Sequence, residues 1–196
     1  MKKLFFAALA VMLSFGMAHA LLPSFGIKGG VNLSNIYGTD ADLLNPDMKL
    51  GGIGGAFVTL DLVALKIQPE LLYSQKGYKW SYYGASVTEH ADYLEIPLLL
   101  KFSFGKIIVP SIYLGPSIGV LVSAKETYQS QSYDAKDLYN SNDFGLVFGA
   151  EVKTPAKVSV EARYNLGLSK VYKAMYNYEP EIKNSAISVM LGYYLF

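Results

Sequence analysis

The sequence predicts an all-β chain, an eight-stranded antiparallel up-and-down transmembrane β-barrel with short turns at one end and longer loops at the other. Three observations predict it. Apolar and polar residues alternate with a period of two in segment after segment, as in a strand with one apolar face. No stretch beyond the amino terminus is long and apolar enough for a membrane helix. Connections alternate between short ones and long, polar, tyrosine-rich ones, the layout of a membrane barrel. Composition agrees. At 52% hydrophobic and only 17% charged residues, the chain is not a disordered one. A formal net charge of +1 supplies no basic field for nucleic acid. The absence of cysteine excludes a disulfide scaffold, a thiolate metal site, a cysteine nucleophile and an acylated lipoprotein.

Residues 1–20 read as a cleaved signal peptide. Lys2 and Lys3 form a basic start, Leu4 to Phe15 an apolar run too short to span a bilayer, and Ala18-His19-Ala20 a small-x-small cleavage site. Cleavage after Ala20 removes two lysines and takes the net charge from +1 to −1. The barrel domain is residues 21–196. It offers about 22 residues to each of eight strands with its connection; sixteen strands would get about 11, too few for a spanning strand and a loop.

The first strand, near 24–36, sets Phe25, Ile27, Val31 and Leu33 against Gly26, Lys28, Gly30 and Asn32. The second, 49–62, is apolar on both faces at several positions, and its facing stays open. The third, 65–78, sets Leu65, Ile67, Pro69, Leu71 and Tyr73 against Lys66, Gln68, Glu70, Leu72 and Ser74. The fourth, 91–104, sets Leu94, Ile96, Leu98, Leu100 and Phe102 against Tyr93, Glu95, Pro97, Leu99 and Lys101. The fifth, 108–124, sets Ile112, Leu114, Pro116, Ile118, Val120 and Val122 against Tyr113, Gly115, Ser117, Gly119, Leu121 and Ser123. The sixth, 142–154, and the seventh, 157–172, repeat the split; in the seventh a helix would mix Val158, Glu161, Ala162 and Asn165 on one face. The eighth, 184–196, could face either way. Short connections fall near 61–64, 105–107 and 154–156, and long ones near 37–48, 79–90, 125–141 and 173–183.

Alternation does not say which face is outside, and a lipocalin-like soluble barrel is the alternative at the level of the fold. The polar faces carry Lys28, Glu70, Glu95, Lys101, Glu151, Glu161 and Arg163, which reads as a lumen charge network, paired so that a narrow interior tolerates it. Opposite charges on adjacent strands would also fix register. Aromatics near strand ends, Tyr37, Tyr73, Trp80, Phe104, Tyr172 and Tyr194, suit interface girdles. A lumen filled this way is plugged. The inward glycines Gly115, Gly119, Gly145, Gly149 and Gly167 leave open a narrow channel for small solutes.

Residues 68–77 (QPELLYSQKG) and 93–101 (YLEIPLLLK), with Gly115-Pro116-Ser117-Ile118-Gly119, the opening Gly26 to Asn32 and the final Phe196, resemble the PorT-like, porin-family outer-membrane β-barrel domain. The resemblance implies an eight-stranded barrel in a Gram-negative outer membrane, exported through its signal peptide, with both termini periplasmic. It also implies that Tyr194 and Phe196 form the signal read by the barrel-assembly machinery. Gly192 and Ser188 depart from the bulky apolar residues usual on that face.

Candidate chemistry is sparse. Gly115-Pro116-Ser117-Ile118-Gly119 matches a nucleophile elbow, but Ser117 sits in mid-strand and the one mature-chain histidine, His90, in a loop. Asp40, Asp42, Asp47, Asp134, Asp137 and Asp143 lack the spacing of a calcium loop. Gly51-Gly52-Ile53-Gly54-Gly55 lacks a phosphate-loop lysine and reads as a bend or close packing. The loop tyrosines Tyr128, Tyr133, Tyr139, Tyr176 and Tyr178 suit either a recognition surface or an extension of the girdle. The expectation is a non-enzymatic, monomeric integral protein with no catalytic, cofactor or metal site. Its partners are outer-membrane lipid and, during biogenesis, the assembly machinery; its role is structural or lies in its surface loops. Alternatives are the narrow channel, a PorT-like secretion or assembly component, and a membrane hydrolase or acyltransferase using Ser117 and His90.

Overall fold

The computed structural model describes residues 23–62, 65–82, 84–129, 131–174 and 178–195. Nine strands form one antiparallel sheet: β1 (Ser24–Tyr37), β2 (Asp47–Leu62), β3 (Leu65–Tyr82), β4 (Ala85–Ser103), β5 (Val109–Tyr128), β6 (Gln131–Asp134), β7 (Asn142–Lys153), β8 (Val158–Gly167) and β9 (Lys183–Tyr194). Pairing of β1 with β9 and of β4 with β5 closes eight of them into a ring, which leaves lipid no free strand edge to solvate. The ninth, β6, is a short flap on β5 beyond the ring, at Lys125 to Tyr128.

Side chains sort by face as the period of two requires. On β4, Leu94, Ile96, Leu98, Leu100 and Phe102 are exposed on the outside, while Tyr93, Glu95, Pro97, Leu99 and Lys101 are buried within. The same belt continues through Leu71 and Tyr73 on β3, Ile112 and Leu114 on β5, Phe144 to Phe148 on β7 and Val160 on β8. An apolar surface this continuous is far larger than a water-soluble monomer exposes. Its nine residues on β4, at ~3.3 Å each and tilted by ~40°, give a belt ~23 Å tall, close to the ~25 Å apolar band of outer-membrane barrels. No helix among the described residues is long and apolar enough to cross a membrane.

The structure settles both strands whose facing the sequence left open. On β2, Lys49, Ile53, Phe57 and Thr59 point inward. The glycines around Ile53 serve close packing, because a β-carbon on Gly51 or Gly55 would run into a β3 carbonyl. On β9, Ile187, Val189, Leu191 and Tyr193 face out, while Ala186, Ser188, Met190 and Tyr194 face in. One bulge changes the inward set on β5. The register shifts beside Asp92 and Tyr93, so Ala124 and not Ser123 follows Leu121 inside.

Two expected connections differ. Residues 79–90 are not a long loop: β3 and β4 stay paired to Tyr82 and Ala85, so the hairpin projects well above the belt. The strand expected over 157–172 ends at Gly167, and the following chain folds back over the barrel mouth. The girdle also needs correction. Tyr73 and Phe104 are outward, but Trp80 and Tyr172 pack into a cluster at the loop end, and Tyr194 is buried in the lumen. Tyr37 is half-buried and donates to the Gly167 carbonyl at 2.5 Å.

Candidate functional site

All seven charged residues singled out from the sequence point into the barrel and are buried. Their pairing is across the lumen. Lys28 on β1 reaches Glu70 on β3 at 2.8 Å and Glu161 on β8 at 2.6 Å. Arg163 on β8 reaches Glu70 at 2.8 Å and also pairs with Glu161. The four form a neutral ring of two cations and two carboxylates. Lys101 pairs with Glu151 at 3.0 Å, and Tyr194 donates to the same carboxylate at 2.8 Å. Gln68 joins the two groups, accepting from Lys101 and donating to Glu70, each at 2.7 Å.

Higher up, Glu95 belongs to a different group. Lys76 pairs with Glu95 at 2.6 Å and with Asp143 at 3.3 Å. Asn184 and Ser169 donate to Asp143 at 3.0 and 3.2 Å. Sequence reasoning missed Lys76 and Asp143, which lie where the apolar alternation fades. It also expected opposite charges on adjacent strands to set the register. Such pairs occur between β3 and β4, at Lys76 and Glu95, and between β2 and β3, at Asp61 and Lys66, but Glu151 and Glu161 are direct cross-strand neighbours of like charge, each neutralised by a cation from another strand. Buried charges are tolerable only when paired and hydrogen-bonded in this way. A small cavity of about 30 Å³ remains at the short-turn end beside Lys101, Glu151 and Tyr194, room for about one water.

Neighbouring groups lie close over each of the inward glycines. The Tyr113 ring lies over Gly149 and the Tyr93 ring over Gly119, while Gly115 leaves no room for a β-carbon against the Leu98 carbonyl. Ser117 is buried in mid-strand, paired with Pro97 and Gly145. His90 pairs with Gly77 and Lys125, seven residues further along β4 from Pro97, or ~23 Å at strand rise. Nothing brings the two together. Among the described residues no group of three or more histidine or acidic side chains could hold a metal ion. Ala18, Ala20 and Phe196 lie outside the described residues.

Above the belt, the loop ends fold into a cap with its own apolar core. Ile36, Tyr78, Leu121, Tyr139, Val171 and Ile182 are buried there, with Trp80 and Tyr172 packed against them. Tyr172 hydrogen-bonds Tyr78 at 2.6 Å and Tyr139 at 3.1 Å, and Tyr139 donates to Glu89 at 3.0 Å. Burial pushes the Glu89 carboxyl up to about 7, with Glu126 adding to the rise. Burial likewise lifts the Tyr139 and Tyr172 hydroxyls well above their usual range. The remaining ties are backbone bonds and side-chain clips. Val171 N–H donates to Ile182, and Lys173 N–H to Leu138, at 2.8 and 2.9 Å. Asp40 accepts from the Tyr178 hydroxyl at 2.5 Å and from Glu181 N–H at 2.7 Å, and the Tyr178 bond holds its carboxyl below the ordinary value. Of the loop tyrosines, Tyr139 is thus an internal post, whereas Tyr133 and Tyr178 are exposed and Tyr176 lies outside the described residues.

The chain is similar in fold to Neisserial surface protein A, at 13% identity and a TM-score of 0.50, with 88% of this chain and 99% of that one covered. Ail, the attachment invasion locus protein of Yersinia pestis, aligns at 15% identity and a TM-score of 0.47 over 89% and 100% of the two chains. The N-terminal β-barrel domain of Pseudomonas aeruginosa OprF aligns at 9% identity and a TM-score of 0.40, over 87% and 97%. No curated protein sequence matches. The family model described as an outer membrane protein beta-barrel domain matches residues 22–173, most of the chain. With its ring of eight strands and its lipid-facing belt, this chain belongs to that family and is a protein of the bacterial outer membrane.

Proposed function

We propose that this protein is a closed, non-enzymatic barrel that works through its folded extracellular end and not through a pore. The carrying observation is a double closure. Ion-paired side chains cross the lumen from β1 to β3 and β8, and an apolar cap built from three loops covers the mouth. Either layer alone would obstruct solute flow. A folded cap also gives the loops a fixed surface, which is what recognition needs. Residues 1–20 act as the export signal and the carboxyl terminus serves assembly, with Phe196 as the residue read by the machinery; Tyr194 is occupied inside by Glu151. The barrel functions as a monomer.

The PorT-like segments supply Gln68, Glu70, Ser74, Lys76, Glu95 and Lys101, all lumen-facing. Their likeness is accounted for by the barrel interior, so a secretion or assembly role needs a partner to support it. The test is conductance of refolded residues 21–196 in a planar bilayer. Silence with insertion demonstrated is the expected result. Stable, reproducible steps would overturn the closed reading and favour the narrow channel.

A further inference from the structure

A polar groove of about 330 Å³ opens on the outer wall of the cap, where β7 begins and the chain leaves β8. Its position is specific. Phe144, the topmost outward apolar residue of β7, lines it, and the exposed Leu168, the first residue past β8, is joined to Phe144 by an N–H to carbonyl bond of 2.6 Å. Directly above them the lining turns polar, with Asn140, Ser141, Asn142, Lys170 and Glu179. The groove therefore straddles the boundary between hydrocarbon and headgroups.

We propose that this groove binds the saccharide headgroup of an outer-leaflet glycolipid whose acyl chains lie along Phe144, Leu146 and Leu168. Three features fit that ligand. The walls are set in advance: the Asn140 amide donates to the Lys170 and Tyr172 carbonyls at 2.9 Å each, and the Ser169 hydroxyl accepts from Phe144 N–H at 2.8 Å. Hydrogen-bonding capacity is left over, since the Ser141 hydroxyl and the Asn142 amide, both on exposed residues, have no partner among the described residues. Lys170 and Glu179 form an ion pair at 2.7 Å with both side chains partly exposed, so a cation and a carboxylate acceptor stand on one wall. Sugar hydroxyls need both donors and acceptors, and a phosphate on the headgroup would meet Lys170. The volume lies at the lower end of small-molecule sites. A soluble glycan would make no use of the apolar lip, which is why the lipid-linked form is the occupant.

The test is amide NMR on the refolded barrel in phosphatidylcholine nanodiscs, with rough lipopolysaccharide as the probe. Parallel arms use phosphatidylglycerol and the delipidated core oligosaccharide. Lipopolysaccharide should shift amides at 140–144, 168–170 and 178–179. Phosphatidylglycerol should leave them in place, and the free oligosaccharide should need at least tenfold higher concentration. Asn142→Trp, which fills the groove, should abolish the shifts; Ser141→Ala with Asn142→Ala, which removes only the free polar groups, should weaken binding at least fivefold with the fold intact. Shifts spread evenly around the rim, equal shifts with phosphatidylglycerol, equal affinity for the free oligosaccharide, or unchanged binding by the double-alanine variant would each overturn the proposal. None of these outcomes depends on whether the lumen conducts.

Discussion

Tyr113 on β5 lies directly opposite Gly149 on β7, and its phenol oxygen sits 2.6 Å from where a Gly149 β-carbon would stand. The glycine makes room for the ring. The ring's hydroxyl in turn donates to Glu161 at 3.3 Å, at the edge of the Lys28, Glu70 and Arg163 ring. Backbone approach, aromatic filling and charge pairing are thus one arrangement. Gly149→Val should push Tyr113 off this position and destabilise the barrel by ~1–3 kcal/mol, the usual cost of overpacking. Urea unfolding in lipid measures it. A loss under 0.5 kcal/mol, within the range of an ordinary surface change, would mean the ring has room to move.

The contact of Lys28 with Glu161 gives a second prediction. Removing Lys28 leaves two buried carboxylates facing Arg163 alone. Lys28→Met should therefore cost ~3–5 kcal/mol, the range for breaking a buried pair from one side. Adding Glu161→Gln restores neutrality and should recover at least half of that loss. A single variant as stable as the parent, or a double variant no better than the single, would show that water already screens these charges.

Side-chain facing was legible where lipid imposes contrast. On β4 and β8 a polar residue in the outward row would be expensive, so the alternation is clean and both faces follow from the sequence. Above the belt that pressure vanishes. Residues 79–90 are polar and aromatic on both sides, because one face meets water and the other meets the cap; a paired hairpin there looks like a loop. Partners across the lumen were not legible either. Lys28, Glu70 and Glu161 lie on three strands, two of which are not neighbours of the first, and the period of two says nothing about which inward charges meet. Tyr139 and Tyr172 come together from separate loops, and only the fold shows that one is a post for the other.

The belt itself can be tested at mid-height. Leu98, the middle residue of the outward row from Leu94 to Phe102 on β4, is 37% exposed, while its neighbour Leu99 is inward and fully buried. In a bilayer, Leu98→Arg should cost ~2–4 kcal/mol, as expected for a cation near the midplane. Leu62→Arg, at the short-turn end of β2, should cost ~1 kcal/mol or less by the same depth dependence. Equal costs at the two sites would contradict the placement of the belt, and would be read from the midpoints of parallel urea titrations.

The last prediction concerns Glu89, which burial holds at a folded pKa of about 7, above the ordinary glutamate value of 4.5. Below that lower value the carboxyl is protonated in both folded and unfolded states, and no penalty arises. As pH rises from 4.5 to 7, the unfolded chain gives up the proton while the folded cap keeps it. Stability of the cap must therefore fall through this window and stay at the lower level above it. At ~1.36 kcal/mol per pKa unit the full effect is ~3 kcal/mol. Partial access of water at the cap reduces it to ~1–2 kcal/mol, or about tenfold in an opening equilibrium. Hydrogen-exchange protection at the Asn140 and Lys173 amides, which tie the third and fourth loops together, and at the Val171 amide, which closes the fourth on Ile182, should be about tenfold higher at pH 5 than at pH 8. Glu89→Gln holds the neutral form at every pH. It should give the high protection at both values, while amides in the belt, such as those of β8, respond in neither protein. Protection that rises with pH, or a pH dependence that survives Glu89→Gln, would assign the effect to other groups in the cap, with Glu126 the first to test because it is the direct cross-strand neighbour of Glu89.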